Sequence, residues 1–570
     1  MCTVRRLSVR GLFLLVFLLG PAPLLSVEHA ENRAFRTAIN SITTTELGHH
    51  VDVLADDSFE GREAGTAGGR AAGRYLCEAM EDDGIEPAGE DGGYFQLFGN
   101  GYRNLLGMIR GRDPKLQHKY IVVGAHYDHV GYGTHENSFG PIGQIHNGAD
   151  DNASGTAGVL EVMQAFSMLP EPPRCSILFA FWDGEEKGLL GSKHFVRYPT
   201  VPLEDVVMVL NCDMIGRLRE RRLKVHGART AGGLRRLVCK ANTECEMCLD
   251  FVWDVQPSSD HSPFFRDDVP FLMFHTGLHD NYHRPSDDAE RVNDKGVRRV
   301  SELLFRVTHE LSESPQRISF REQARRESNH TRSQFEQAAS PAPTRLGVSW
   351  SRDDAGPGLQ LTQVIPGSPA DQGGLRVGDR LLEFSGRKIQ GGDQFRLVVL
   401  AAPPRTYAMV ERPGETEPVK VPVNPRGTPV RLGISWKQDA ADPSMVILTR
   451  VIPGSAADQA GLRVGDRIYA VDGQGFADGK AFGNLARRRP GPLRLKVERD
   501  GIIEHMTVRP LQPAKDAAAA WTGGDDRLTI RIRPTSPLPR AGLFCHREEL
   551  RNQRVTASRD DCRRLNHSSI

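Results

Sequence analysis

Residues 176–186 read SILFAFWDGEE. Seven uncharged, mostly apolar residues end abruptly in Asp-Gly and two adjacent glutamates. A run this short and this uniformly apolar predicts a strand buried on both faces. The pattern recurs in YIVVGAH (120–126), VVMVLNCD (206–213) and PFLMFH (270–275). Helical periodicity lies between these runs. Val159, Val162, Met163 and Phe166 repeat at i, i+3, i+4, i+7 after Ser154-Gly155, and residues 290–312 form a second long helical segment. The expected fold is therefore α/β, with a mainly parallel central sheet flanked by helices. Such sheets bind ligands beyond the carboxyl ends of their strands. His126, Glu185 and Asp213 each end or closely follow an apolar strand.

The rest of the chain bounds the problem. Its 570 residues exceed what one core holds, so several domains are expected. With 39% apolar and 25% charged residues it reads as a globular protein, and a net charge of +1 points away from nucleic acid. Arg5, Arg6 and Arg10 precede GLFLLVFLLG (11–20), so residues 1–30 read as a signal peptide or N-terminal anchor. The protein is then expected outside the cytoplasm: secreted, periplasmic or attached to the cell envelope. Membrane contact would come only through an uncleaved leader. Nine cysteines imply no disulfide framework. Cys245 and Cys248 lack a second pair for zinc and read as a local disulfide, and Cys545 and Cys562 as another candidate pair.

Residues 31–316 carry the alternating pattern, and the polar stretch 317–342 reads as a linker. Then a repeat begins. RLGVSW (345–350) and LTQVIPGSPADQGGLRVGDRLL (361–382) return as RLGISW (431–436) and LTRVIPGSAADQAGLRVGDRI (448–468). Units of this size are small domains in tandem, over 343–425 and 429–512. Residues 513–570 are polar and read as disordered.

The strand ends hold an unusual set of groups. In His126-x-Asp128 both side chains fall on one side of an extended segment, so Asp128 can support His126 as a ligand. Asp150-Asp151 precedes small residues where backbone can approach closely. Glu185-Glu186 point in different directions, one toward a metal and one toward substrate water. Asp213 ends a strand, and His283 adds a second imidazole. Metal-assisted hydrolysis needs such ligands and a base. Three acids and two histidines exceed what one catalytic zinc takes, so two Zn²⁺ bridged by a carboxylate fit the count better.

The set resembles the M28 family of dinuclear zinc peptidases, aminopeptidase type, over roughly residues 45–312. The matching pieces are GREAGTAGG (61–69), GAHYDHVG (124–131), NGADDNASGTAG (147–158), WDGEEKGLLGS (182–192), NCDMIG (211–216) and YHRPSDD (282–288). By that resemblance the fold is the zinc exopeptidase fold. His126 and Asp213 would bind one zinc, Glu186 and His283 the other, and Asp151 would bridge them. Glu185 would be the general base and Asp128 would orient His126. The Asp151–Asn152 bond would be cis. SSDHSPF (258–264) resembles the segment lining the substrate pocket, with His261 a candidate to polarise the scissile carbonyl. Each repeat resembles a PDZ domain of exported proteases. Its turn, Leu346-Gly347-Val348 or Leu432-Gly433-Ile434, would bind the terminal carboxylate of a peptide or partner protein, which adds as a strand beside it.

Each motif alone has a plain structural reading. A strand-end histidine, an Asp-Asp turn or a helix-starting Glu pair is common. Their occurrence in this order in one region favours an exported dizinc metallopeptidase, an aminopeptidase acting on peptide or protein substrates. The competing functions are a receptor-like scaffold with a vestigial site, and a related zinc carboxypeptidase or amidohydrolase. His129, His135, His146, Asp150 and Asp183 read as structural neighbours.

Overall fold

A computed structural model describes residues 33–313, 318–340, 344–351, 356–489 and 491–511. The leader, Cys545, Cys562 and the 513–570 tail lie outside them. The first domain is built on nine strands: β1 (Glu86–Pro87), β2 (Phe95–Phe98), β3 (Tyr102–Ile109), β4 (Tyr120–His126), β5 (Ser176–Trp182), β6 (Val206–Cys212), β7 (Arg222–His226), β8 (Cys248–Val252) and β9 (Phe271–His275). Their order is β1-β3-β5-β4-β6-β9-β7-β8, with β2 beside β3.

The four central strands, β5, β4, β6 and β9, run parallel, and every residue of β5 is buried. Both flanks are antiparallel, so the sheet is mixed. β2 and β3 are joined by Gly99-Asn100-Gly101, and so short a connection permits only an antiparallel pair. Helix α1 (Gly155–Ser167) packs with a long helix, Asp294–Glu313, on one face of the sheet, where Phe166 and Phe305 meet at 4.5 Å. Phe195 and Phe264 cover Trp182 on the other face. Cys245 and Cys248, expected as a disulfide, are free thiols; Cys245 is buried in the main core. An apolar environment stabilises the neutral thiol, and its pKa is pushed up to about 12 by burial.

Two β-rich domains follow. The first contains β10 (Val348–Trp350), β11 (Leu359–Val364), β12 (Arg380–Phe384), β13 (Arg387–Lys388), β14 (Thr406–Glu411) and β15 (Val419–Val423). The second contains β16 (Ile434–Asp439), β17 (Asp442–Val451), β18 (Arg467–Val471), β19 (Leu493–Arg499) and β20 (Ile502–Val508). β10 and β16 are edge strands.

The stretch read as a polar linker is structured where it is described. Residues Asn329–Glu336 form a helix, started by a capping box between Ser328 and Thr331. Several polar residues of this stretch form ion pairs. Arg321 and Arg229 both grip Glu327, and Arg229 also grips Asp439 of the second β-rich domain. That domain docks on the nine-stranded domain through a further pair, Arg235 and Glu498, joined by two hydrogen bonds of 2.9 and 3.0 Å. Glu498 is fully buried there, and Arg235 lies 4.0 Å over the Phe251 ring. Backbone bonds from Leu249 to Asp500 and from Gly233 to Ala441 complete the seam.

Candidate metal centre

Three strand ends and two loops deliver the site. His126 closes β4, and its carbonyl accepts a 2.8 Å bond from Thr156 of α1. Asp213 follows β6. Asn152 ties the Asp151 segment to that strand end: its amide donates to Cys212 O, and its oxygen accepts from Met214 and Gly155. The Asp151–Asn152 bond is cis. Arg62 is wholly buried, and its guanidinium donates to the carbonyls of Leu54, Tyr127, Asn147 and Gly148. It thereby knits together the loops on either side of His126 and Asp151.

The two oxygens of Asp151 face opposite imidazoles. Oδ1 is 3.3 Å from His126 Nε2, and Oδ2 is 3.1 Å from His283 Nε2. His126 Nε2 is also 3.6 Å from Asp213 Oδ1, and His283 Nε2 is 3.2 Å from Glu186 Oε2. Yet His283 Nε2, although buried, has no hydrogen-bond partner. Two carboxylate oxygens nevertheless lie within 3.2 Å of it. Donors at about 2.0–2.1 Å from a tetrahedral zinc sit roughly 3.3 Å from one another. The observed spacings match that figure, and nitrogen and oxygen donors suit zinc. His126, Asp151 and Asp213 could hold one ion on one side of Asp151; on the far side Asp151 and Glu186 could hold another with His129, or with His283, whose Nε2 lies 3.1 and 3.2 Å from their oxygens.

Tautomers follow from the supporting bonds. His126 Nδ1 is 3.2 Å from Asp128 O, and His283 Nδ1 is 2.7 Å from Asn137 O. Donation to these carbonyls leaves each Nε2 as a lone-pair donor. Asp128 supports the glutamate loop as well as His126. Its carboxylate lies 3.8 Å from His126 Nδ1, beyond hydrogen-bond range, and accepts the backbone N–H of Glu185 at 3.0 Å and of Glu186 at 3.4 Å. It positions the glutamate pair, and its carbonyl orients the histidine.

The site is electrostatically unbalanced as a bare cluster. Burial, reinforced by Glu186, Asp260 and Asp213, pushes the Glu185 carboxyl well above the usual range. Burial also raises Asp128 strongly. Against the opposing effect of burial, His283 is pushed up to about 11 by Asp151 and Glu186. Buried acids crowded in this way call for positive charge between them.

A family profile matches residues 104–308, and its description is peptidase family M28. Residues 104–308 are an M28 peptidase domain. PDZ profiles match residues 360–406 and 447–499, so the two β-rich units are PDZ domains. The aminopeptidase YwaD of Bacillus subtilis is 28% identical over 220 residues, 36% of this chain and 44% of that protein. A probable periplasmic serine endoprotease, DegP-like, of Chlamydia trachomatis is 23% identical over 171 residues, 27% of this chain and 34% of that protein. The chain spans less than half the length of these curated relatives. The solved LapA aminopeptidase of Legionella pneumophila is 20% identical, covering 55% of this chain and 81% of that one, with a TM-score of 0.42.

Other residues of the M28 domain depart from the sequence reading. His129, read as a structural neighbour, enters the cluster: its Nδ1 is 2.9 Å from Glu186 Oε1 and 3.9 Å from Asp151 Oδ2. Its ring stands edge-on to His283 at 5.5 Å. Asp287, not singled out in the sequence, accepts the N–H groups of both Asp150 and Asp151 and pairs with Arg217 at 2.7 Å. Asp150 itself is turned away, onto His279, Gly216 and Ser154. His261 stays outside the cluster. Its ring is buried, stacked on Phe271 at 4.3 Å, with Nε2 3.1 Å from Gln256 O. Burial lowers its pKa to about 3, and its Nδ1 is buried without a partner among the described residues. The doubled acids and the HYDH run were the only signals that His129 and Asp287 offered, and doubling does not say which member turns inward.

In the PDZ domains, Gly347 and Gly433 both have φ of 86°. A Cβ there would fall 2.3 Å and 2.2 Å from the Cβ of Ser368 and Ser455, so only glycine fits the turn. Leu346 and Leu432 are buried beneath it, their carbonyls accepting from Ala370 and Ala457. Val348 and Ile434 open the two edge strands.

Proposed function

We propose that the chain is an exported zinc-dependent metallopeptidase that removes residues from the amino end of peptides, with two zinc ions bridged by Asp151. The observation that carries this reading is the placement of His126 and His283 on opposite oxygens of one buried carboxylate. The M28 match and the aminopeptidase among its relatives support it. Zinc held at this centre would polarise the scissile carbonyl and lower the pKa of water. The protein's own part is proton transfer and positioning. Glu185 takes a proton from the attacking water, and its carboxyl returns that proton to the leaving amine nitrogen. Burial and the neighbouring Glu186 and Asp213 raise its pKa, and positive charge held at the centre would favour its ionised, basic form. Asp128, through the two backbone N–H groups, keeps Glu185 and Glu186 pointing apart.

The PDZ domains dock C-termini of substrates or partners at the Leu346-Gly347-Val348 and Leu432-Gly433-Ile434 turns. Export is supported by the leader pattern at residues 1–30 and by a periplasmic protease among the similar proteins. The test is a cleavage profile on free and N-acetylated peptides with Glu185→Gln alongside. The wild type should cut free peptides, lose activity on acetylation, and stop with chelator. Glu185→Gln should retain zinc with turnover reduced at least 1,000-fold, about 4 kcal/mol. Cleavage of acetylated peptides from the carboxyl end would give the carboxypeptidase alternative instead. Absence of both zinc and cleavage would give the scaffold.

A further inference from the structure

The repeat carries a tryptophan three residues beyond each turn glycine, at Trp350 and Trp436. Each lies two residues beyond Val348 or Ile434, just past a shift in strand register, and both members of each pair pack against their domain's core. Both indoles lie across a helix. In the first PDZ domain that helix spans Gly392–Ala401, and in the second Gly479–Arg488. Trp350 meets Phe395 edge-on at 5.3 Å, with the Arg396 guanidinium 5.3 Å over its ring. Trp436 meets Phe482 edge-on at 4.9 Å.

Glycines make room for each indole. A Cβ on Gly392 would stand 2.3 Å from Trp350 Nε1. A Cβ on Gly479 or Gly483 would stand 3.3 or 3.2 Å from the Trp436 ring. Residues i, i+3 and i+4 form one helical face, so in both domains the indole spans the gap from edge strand to helix. The same Trp–Gly–Phe arrangement therefore occurs twice in one chain, in strand and helix positions that correspond across the repeat.

A peptide added to the edge of β10 or β16 that is unpaired among the described residues would run through that gap. It would enter at the glycine turn and meet the indole about 6.6 Å further on, two residues of extended chain. We propose that Trp350 and Trp436 close each cleft beyond the carboxylate-binding turn, so that the domains read only the last residue of a C-terminus. The ligand is a free terminal carboxylate with one side chain, without selection at residues further back. This rests on the C-terminal docking reading given above. It suits a peptidase that holds varied chains by one end while shortening the other.

The test uses the full chain with Glu185→Gln and hexapeptides capped with fluorescein at the amino end, read by fluorescence polarisation. Amidating the terminus should weaken binding at least tenfold. Changing the third residue from the end between alanine, aspartate, lysine and phenylalanine should change it less than twofold. The Trp350→Ala, Trp436→Ala pair should introduce at least a fivefold dependence on that residue. Gly392→Ala, which displaces one indole without removing it, should do the same more weakly and guards against misfolding of the alanine pair. A wild type that already discriminates at the third residue overturns the inference and leaves docking intact. Equal binding of amidated and free peptides, or no binding by any variant, overturns the docking reading and the inference with it.

Discussion

Replacing Asp287 with asparagine should loosen the metal centre without touching any candidate ligand. Asp287 Oδ2 accepts the N–H of Asp150 at 2.9 Å and of Asp151 at 3.1 Å, and Oδ1 accepts Arg217 Nη2 at 2.7 Å. Its side chain is fully buried, so no solvent replaces these bonds. Hydrogen bonds to a charged group contribute about 1.5–3 kcal/mol each, and neutral ones about 0.5–1.5. Asparagine keeps one oxygen. That oxygen can hold the two backbone donors or the guanidinium, and the new NH₂ then faces a donor. A loss of roughly 3 kcal/mol in stability is expected. Because one of the freed donors is the backbone of Asp151, the slack reaches the carboxylate that faces both histidines. Zinc affinity should fall about 10–100-fold, the usual effect of removing a supporting partner. Zinc content after dialysis against graded chelator reads the affinity, and urea unfolding at fixed metal reads the stability. Affinity within twofold of wild type, together with unfolding free energy unchanged within about 0.5 kcal/mol, would refute the argument that Asp287 holds Asp151 in place.

Two further outcomes follow from the same geometry. His129→Phe removes the 2.9 Å contact to Glu186 Oε1 and should release part of the bound zinc, seen as a fall in the zinc-to-protein ratio, while Asp128→Asn should leave that ratio closer to wild type. Acidification should undock the second PDZ domain. Although burial opposes it, Arg235 and Arg467 hold the Glu498 carboxyl down to about 2, below its unfolded value near 4.5. Stability from a depressed acid is complete above the unfolded value and is lost as pH falls from about 4.5 toward 2, an amount on the order of 3 kcal/mol. Limited proteolysis across that window should begin to cut near residues 318–340, and Glu498→Gln should shift the onset to higher pH.

Much of this protein is legible along the chain. Four predominantly apolar runs announced the central strands, because a strand buried on both faces admits few polar residues. The acids and histidines at their ends followed from the rule that parallel sheets bind beyond their carboxyl edges. The repeated turn with its glycine gave two tandem domains, since that backbone conformation excludes any Cβ. These features are local, or periodic, and so are written in one dimension.

Tertiary packing decided the rest. Nothing in the run HYDH says that Asp128 turns its carboxylate to the backbone of Glu185, or that His129 meets Glu186, 57 residues away. Nor does DNYHRPSDD say that Asp287 receives the N–H groups of Asp150 and Asp151. The arginines between residues 317 and 342 looked like solvated linker, yet Arg321 and Arg332 are engaged with Glu327 and Asp250 once the second PDZ domain and the M28 domain close around them. A polar side chain carries the same composition whether it faces water or a buried partner. Which it faces is settled by where distant segments converge, and that is a property of the fold.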